Sequence, residues 1–193
     1  LDRGLAAVRE RHGASVRMRM NLLLMRPTCS EAALEAALEF AQRHDTPIQI
    51  DLVHYSLPYF TEGKERELQF RPEDRPAIDA FVQRLLEWKR RRPDLIENSE
   101  VGLRSIPDWL LLGKHMRVPC DKYRMVWVGA DGTVQLCYVT FRLGNLHEHR
   151  LRQLLYTEAH EAAARGAFAL QCPNCHCGFD QRTQKHLPTR LRY

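Results

Sequence analysis

Residues 118–138 read VPCDKYRMVWVGADGTVQLCY, and residues 172–177 read CPNCHC. In the first stretch two β-rich runs, Tyr123 to Val128 and Thr133 to Val139, are joined through Gly129-Ala130-Asp131-Gly132. An Asp-Gly pair between such runs is a strong hairpin signal. Cys120 and Cys137 flank the hairpin. Asn145 and Glu148 then show capping-box spacing ahead of Leu151, Leu154, Leu155, Ala159 and Ala162, and Gly166 sits where that helix is expected to stop. A helix of this length turns the chain back and brings Cys172 and Cys175 to the first two cysteines, so that four thiolates converge.

Soft sulfur ligands in a four-membered set select zinc or an iron–sulfur cluster. Zinc fingers usually supply two short CxxC-like knuckles, whereas here one pair is close and the other is split across a hairpin. That spacing tilts toward a cluster. A zinc-stapled structural or interaction module is the alternative, and a polar lumen would have no purpose in it. The chain has 6 cysteines, too few for a disulfide scaffold at 193 residues.

Upstream, Val16, Met18, Met20, Leu22 and Leu24 alternate with Arg17, Arg19, Asn21, Leu23 and Met25, which is strand periodicity over Val16 to Met25. Ser30 caps a helix with the apolar stripe Leu34, Ala37, Leu38, Ala41. Ile48, Ile50 and Leu52 alternate with Gln49, Asp51 and Val53 as a second strand. Asp74 starts a further helix with Ile78, Phe81, Val82, Leu85 and Trp88 on one face. The helix-strand-helix-strand-helix order implies parallel strands and right-handed crossovers. Two parallel strands are part of an open sheet or barrel, and the polar inner set fits a barrel. Arg17, Arg19, Asn21, Gln49 and Asp51 would then face the lumen, either receiving a polar substrate or cofactor or filling the space as an Arg–Asp pair. Arg19 and Asn21 are the cofactor-contact candidates. Asp51, His54 and Tyr55 lie at the C-terminal end of the second strand and are the acid/base or substrate-contact candidates. The fold class expected is α/β: a partial parallel (β/α) barrel half over residues 1–105, then a small α+β hairpin-and-helix domain over 106–193.

Lys and Arg number 29 against 24 Asp and Glu, a net charge of +5. The densest basic run, Lys89 to Arg92, closes a helix before Pro93, where cations complement the helix dipole. No aromatic or Gly-rich recognition motif accompanies it, so nucleic acid is not an expected partner. Apolar runs stay at four residues, as in Leu5 to Val8, so neither a membrane span nor a signal peptide is expected and cytoplasm is the expected location. The chain opens at Leu1 inside a helical pattern, which is how a piece of a longer protein begins.

Cys120, Gly132 twelve residues on and Cys137 after four more intervening residues resemble the start of the auxiliary-cluster domain of radical SAM enzymes, called SPASM, or twitch in its shorter form. The neighbouring words are similar too: Val118-Pro119-Cys120, Asp131-Gly132-Thr133-Val134-Gln135-Leu136-Cys137-Tyr138, Leu143-Gly144-Asn145-Leu146 at the expected helix start, and Cys172-x-x-Cys175. The resemblance covers residues 118–177 and is weaker upstream, where the pattern is similar to the second half of a partial (β/α)6 barrel. It departs in two ways. Position 181 is Gln and no cysteine follows Cys177, which implies one auxiliary cluster, not two. No CxxxCxxC occurs in the 193 residues, so S-adenosylmethionine and the second [4Fe-4S] cluster that cleaves it belong to a longer chain, and this one alone is expected to be inactive in that cleavage.

The resemblance implies that Cys120, Cys137, Cys172 and Cys175 ligate one [4Fe-4S] cluster, with Cys177 competing for the last position and His176 a surface side chain. It implies radical-based modification of a precursor peptide, or oxidation of a small molecule such as an amino sugar, with an electron-donor protein of the flavodoxin or ferredoxin type as partner. Cys29, at the end of the first strand, would be a hydrogen-atom donor or an ordinary half-buried thiol.

Overall fold

The computed structural model describes residues 2–54, 67–137, 140–172 and 174–193. Tyr55, Tyr138 and Val139 lie outside the described residues.

Helix α1 (Asp2–His12) buries no side chain and is tied down by Arg9, which donates to the Asp45 carbonyl at 3.0 Å and to the Thr46 hydroxyl at 3.2 Å. Strand β1 (Met20–Leu24) is followed by helix α2 (Glu31–Arg43), capped by the Ser30 hydroxyl, which accepts from the Ala33 N–H at 3.2 Å. Leu34, Leu38 and Ala41 form the buried stripe of α2, at the spacing that keeps one helical face inward. Strand β2 (Ile48–Leu52) buries Ile48, Ile50 and Leu52, so the period-2 reading of this strand holds residue by residue. β1 and β2 pair in parallel from Met20↔Ile48 to Leu24↔Leu52. Helix α3 (Arg75–Arg91) packs Ile78, Phe81, Val82, Leu85 and Leu86 inward.

The first strand is shorter than its alternation suggested. β2 begins only after Pro47, so residues 16–19 have no ladder partner among the described residues. The first rung is Met20 N–H to the Pro47 carbonyl at 2.9 Å, Gly13 to Ser15 form a tight turn, and Val16 is exposed. The other edge of β2 is closed by an irregular segment. Ile48 N–H donates to the Leu95 carbonyl at 2.7 Å and Glu97 N–H to the Ile48 carbonyl at 2.8 Å. The Asn98 amide side chain then imitates a strand, accepting from Ile50 N–H at 2.7 Å and donating to its carbonyl at 3.1 Å. The parallel ladder among the described residues is thus two strands and one bridge, fewer than a barrel half.

Helix α4 (Glu100–Leu112) runs across residue 105, where the sequence placed a domain boundary, and carries Pro107 in its interior. Val118 and Phe179 share one apolar core with β2, α3 and α4.

The hairpin expected around Asp131-Gly132 is the front of a three-stranded antiparallel sheet, β3 (Trp127–Val128), β4 (Thr133–Gln135) and β5 (Arg142–Asn145), in that order. Gly132 takes φ +77°, and a Cβ there would meet the Asn145 side-chain oxygen at 2.8 Å. Residues 142–145, expected to open a helix, are therefore a strand: the Asn145 side chain turns back to accept from His147 N–H at 2.8 Å, closing a local turn instead of capping. The helix that follows is broken at Tyr156 (φ +61°) into α5 (Leu151–Leu154) and α6 (Glu158–Phe168), the latter capped by Thr157. Gly166 does not stop α6. It lies inside the helix, where a Cβ would press on the Phe141 ring at 3.1 Å. The stop is at Leu170 (φ +58°), with Gln171 N–H donating to the Gly166 carbonyl at 2.9 Å and Leu170 N–H to that of Ala167 at 3.1 Å. Helices α7 (Phe179–Lys185) and α8 (Leu187–Arg192) end the chain.

Candidate metal centre

Two of the cysteine-bearing segments are fastened to one buried side chain. Arg182, in α7, is 1% exposed. Its Nη1 donates to the Cys175 carbonyl at 2.8 Å, its Nε to the Pro119 carbonyl at 3.3 Å, and its Nη2 to the Val118 carbonyl and to the Asn174 side-chain oxygen. The guanidinium fork therefore holds the backbone just before Cys120 against the backbone of Cys175. Its carbon also lies 4.7 Å from the centre of the Trp109 ring. Trp109 is fixed in turn by its indole N–H, which donates to the Thr183 hydroxyl at 3.0 Å.

Asn174 sets the shape of the knuckle. It adopts φ +60°, a conformation that Asn tolerates better than most residues, and it is buried. Its amide nitrogen donates to the Lys114 and Met116 carbonyls, both at 3.1 Å, and its oxygen accepts from Cys175 N–H at 2.9 Å. The loop between the last two expected ligands is thus anchored to the segment that leads into Cys120.

The sulfurs sit in a low-polarity setting. Burial pushes the Cys175 thiol up to about 12; a backbone N–H at Cys177 and the Arg182 charge act in the opposite direction, and the charges of Cys177 and Cys137 raise it further. Cys137 and Cys177 are therefore each within electrostatic reach of Cys175. A coordinated metal cation reverses this balance by holding the sulfur as thiolate. Among the described residues no three His, Cys, Asp or Glu side chains are grouped as a single ion requires. A cluster spreads its thiolates over separate irons, and the donor set, thiolates beside a buried cation, fits it.

His176 is not on the surface as the sequence suggested; it is 3% exposed. The tight turn at Asn174 points it inward, where Nδ1 donates to the Val53 carbonyl at 2.6 Å and the ring meets the edge of Trp109 at 6.1 Å. Burial lowers its pKa to about 4, so the ring is neutral at neutral pH. His54 is 6.3 Å away ring to ring and is also lowered, by burial first and against the pull of Asp51.

A polar cavity of about 430 Å³ adjoins the knuckle and is lined by Arg19, Gln49, Asp51, Glu97, Cys177 and Asp180 among others. It brings Arg19, Asp51 and Cys177 together. Among the described residues Asp51 does not pair with an arginine: it accepts from the Gln49 amide at 3.0 Å, while Arg17 and Arg19 both reach Glu97 at 3.0 Å. The Arg–Asp filling of the lumen is thereby corrected, because Glu97 follows directly on the bridge to β2. Asn21 is exposed, and Cys29 lines a separate cavity of about 360 Å³ between α2 and α3 with Ser30, Leu34, Phe81 and Arg84. Burial and the neighbouring Asp74 push the Cys29 thiol up to about 11. Cys120 and Cys172 are half-buried.

Sequence reasoning missed Arg182 and Asn174. Asn inside a CxxC spacing is a readable turn signal. Arg182 gave none, because its partners are mostly backbone carbonyls, one of them 64 residues away.

Residues 120–177 match the SPASM family, an iron-sulfur cluster-binding domain. No curated protein and no solved structure matches the chain. Among the described residues no helix is long and apolar enough to cross a membrane.

Proposed function

We propose that this chain holds one auxiliary [4Fe-4S] cluster on Cys120, Cys137, Cys172 and Cys175 and works as the auxiliary-cluster part of a radical SAM-type enzyme. The observation that carries the reading is the fastening of the Cys120 and Cys175 segments to Arg182 within a region that matches an iron–sulfur domain. When bound, the cluster supplies a one-electron acceptor for a substrate radical. The protein's own residues do the rest. Arg182 and Asn174 fix the knuckle, and burial at Cys175 keeps water from the sulfur. Cys177 faces the polar cavity, which favours Cys175 over Cys177 as the fourth ligand.

The substrate is proposed to sit in that cavity, in a lumen of the partial-barrel type. Its walls carry the carboxylates of Asp51, Glu97 and Asp180, with Arg19 and Arg17 on Glu97. Acceptor-rich walls suit a substrate with N–H groups, either a precursor peptide or an amino sugar. Burial raises the Asp180 pKa although Ser99 and Gln184 donate to it, so its occupied oxygens brace the start of α4 and leave Asp51 as the substrate-contact candidate with His54 behind it. S-adenosylmethionine, its own cluster and a flavodoxin- or ferredoxin-type donor complete the reaction in the longer enzyme.

The test is anaerobic reconstitution with iron and sulfide. The chain is expected to take up roughly four irons and four sulfides and turn brown. Cys120→Ala and Cys137→Ala are each expected to lose most of both, and Cys177→Ala to retain them. Iron and sulfide content unchanged in the first two variants, or a colourless zinc-loaded protein without sulfide, overturns the reading.

A further inference from the structure

We propose that Arg182 is the built-in counter-charge of the cysteine centre and holds the reduction potential of its cluster up; the proposal rests on the cluster reading above. Arginines on protein surfaces, such as the exposed Arg190, have water to solvate them, and two other cations of the tail are paired, Lys185 with Asp121 and Arg192 with Asp108. Arg182 has neither. It is 1% exposed, and among the described residues no carboxylate lies within ion-pair distance of it. Its N–H groups go to neutral oxygens, those of Val118, Pro119, Asn174 and Cys175, and a neutral indole faces its carbon.

Neutral dipoles offset only part of the cost of burying a charge, so a buried cation is normally matched by an anion. The anion here is the thiolate centre. The Arg182 Nη1, on the Cys175 carbonyl at 2.8 Å, holds the charge at that ligand's residue. It reaches the sulfurs by way of the carbonyls of the ligand-bearing segments, so it neither ligates nor touches substrate. One-electron reduction adds one negative charge to the centre, and a fixed positive charge beside Cys175 stabilises that reduced state relative to the oxidised one. Arg182 is thus a positioning residue with an electrostatic effect of its own.

The test is a redox titration of the reconstituted chain with dithionite, followed by the electron paramagnetic resonance of the reduced state, together with its iron and sulfide content. In Arg182→Gln the reduced-to-oxidised ratio at a fixed poise is expected to fall on the order of tenfold, a midpoint about 59 mV more negative for one electron. Arg182→Lys, which keeps the charge and loses the fork, is expected to stay near the wild-type midpoint. If Arg182→Gln loads no cluster, Arg182→Lys decides: loading with a wild-type midpoint supports the counter-charge, and failure to load shows that the hydrogen-bonding fork is what matters and overturns it. A fully loaded Arg182→Gln with an unchanged midpoint overturns it, as does an equal shift in both variants. A wild-type chain that takes up no iron and sulfide instead overturns the cluster reading itself, and the two failures are told apart by that measurement.

Discussion

Residues 20–112 and residues 118–182 are built in different ways. In the first region strands and helices bury apolar faces against one another: Ile48, Ile50, Ile78, Leu85 and Trp109 are all at 0% exposure. In the second, the sheet leaves Met125, Val126, Trp127 and Val128 each at least 40% exposed, and Val134 and Leu136 are the residues of β4 and its end that are buried. The second region is joined to the first by Val118 and Phe179, which enter the apolar core, and by polar bonds, His176 to the Val53 carbonyl and Ser99 N–H to Asp180. An apolar core needs no cofactor. A sheet with little core of its own depends on cross-links, which the proposed cluster on Cys120, Cys137, Cys172 and Cys175 would supply.

That contrast is broken most readily in β2. Ile50→Ala removes a fully buried side chain at the centre of the apolar region and is expected to cost about 2–5 kcal/mol in chemical denaturation, with no loss of iron from the folded fraction. A loss of iron matched to the loss of stability would mean that the two regions are not separately built. Asn98→Ala comes next. It leaves the buried Ile50 N–H and carbonyl without the side chain that closes the edge of β2, at an expected cost of about 1–3 kcal/mol. An unchanged denaturation midpoint would show that the Asn98 bonds contribute nothing.

The smallest effect is on Cys29, which belongs to the apolar region and packs beside its core. With its pKa pushed from 9.0 to about 11, the sign is that thiolate is scarce at pH 8 and grows as pH rises toward the folded value. Alkylation of Cys29 at pH 8 is expected to be about a hundredfold slower than that of an exposed thiol, with the rate still rising above pH 9. A rate that levels off near pH 9 would return Cys29 to the candidates for chemistry.

The parallel unit was legible because its signals are local. Ile48, Ile50 and Leu52 alternate without interruption, and Ser30 stands one residue before a clean helical stripe. β1 was started four residues too early because the alternation of Val16 and Met18 continues past the point where Pro47 ends the partner. In the second region Leu143-Gly144-Asn145 carries a short strand that no periodicity can reveal at this length, and Asn145 serves a turn as readily as a cap. Tyr156 and Leu170 take left-handed conformations that Gly is expected to hold, so the helix break and the helix stop were both invisible. The cysteine set was the strongest signal in the chain, since few patterns place two thiols around an Asp-Gly turn and two more in a knuckle. The cation beside it was not, because an arginine bonded to carbonyls leaves no partner residue type to look for.

The account turns on the claim that the second region is held by the metal centre as well as by Arg182, and hydrogen exchange of the reconstituted chain before and after chelation tests it most directly. Removing the iron is expected to strip protection from β3, β4 and β5 and from residues 172–178, while the amides of β2 and α3 keep theirs. Equal protection in both regions with and without iron would contradict the account.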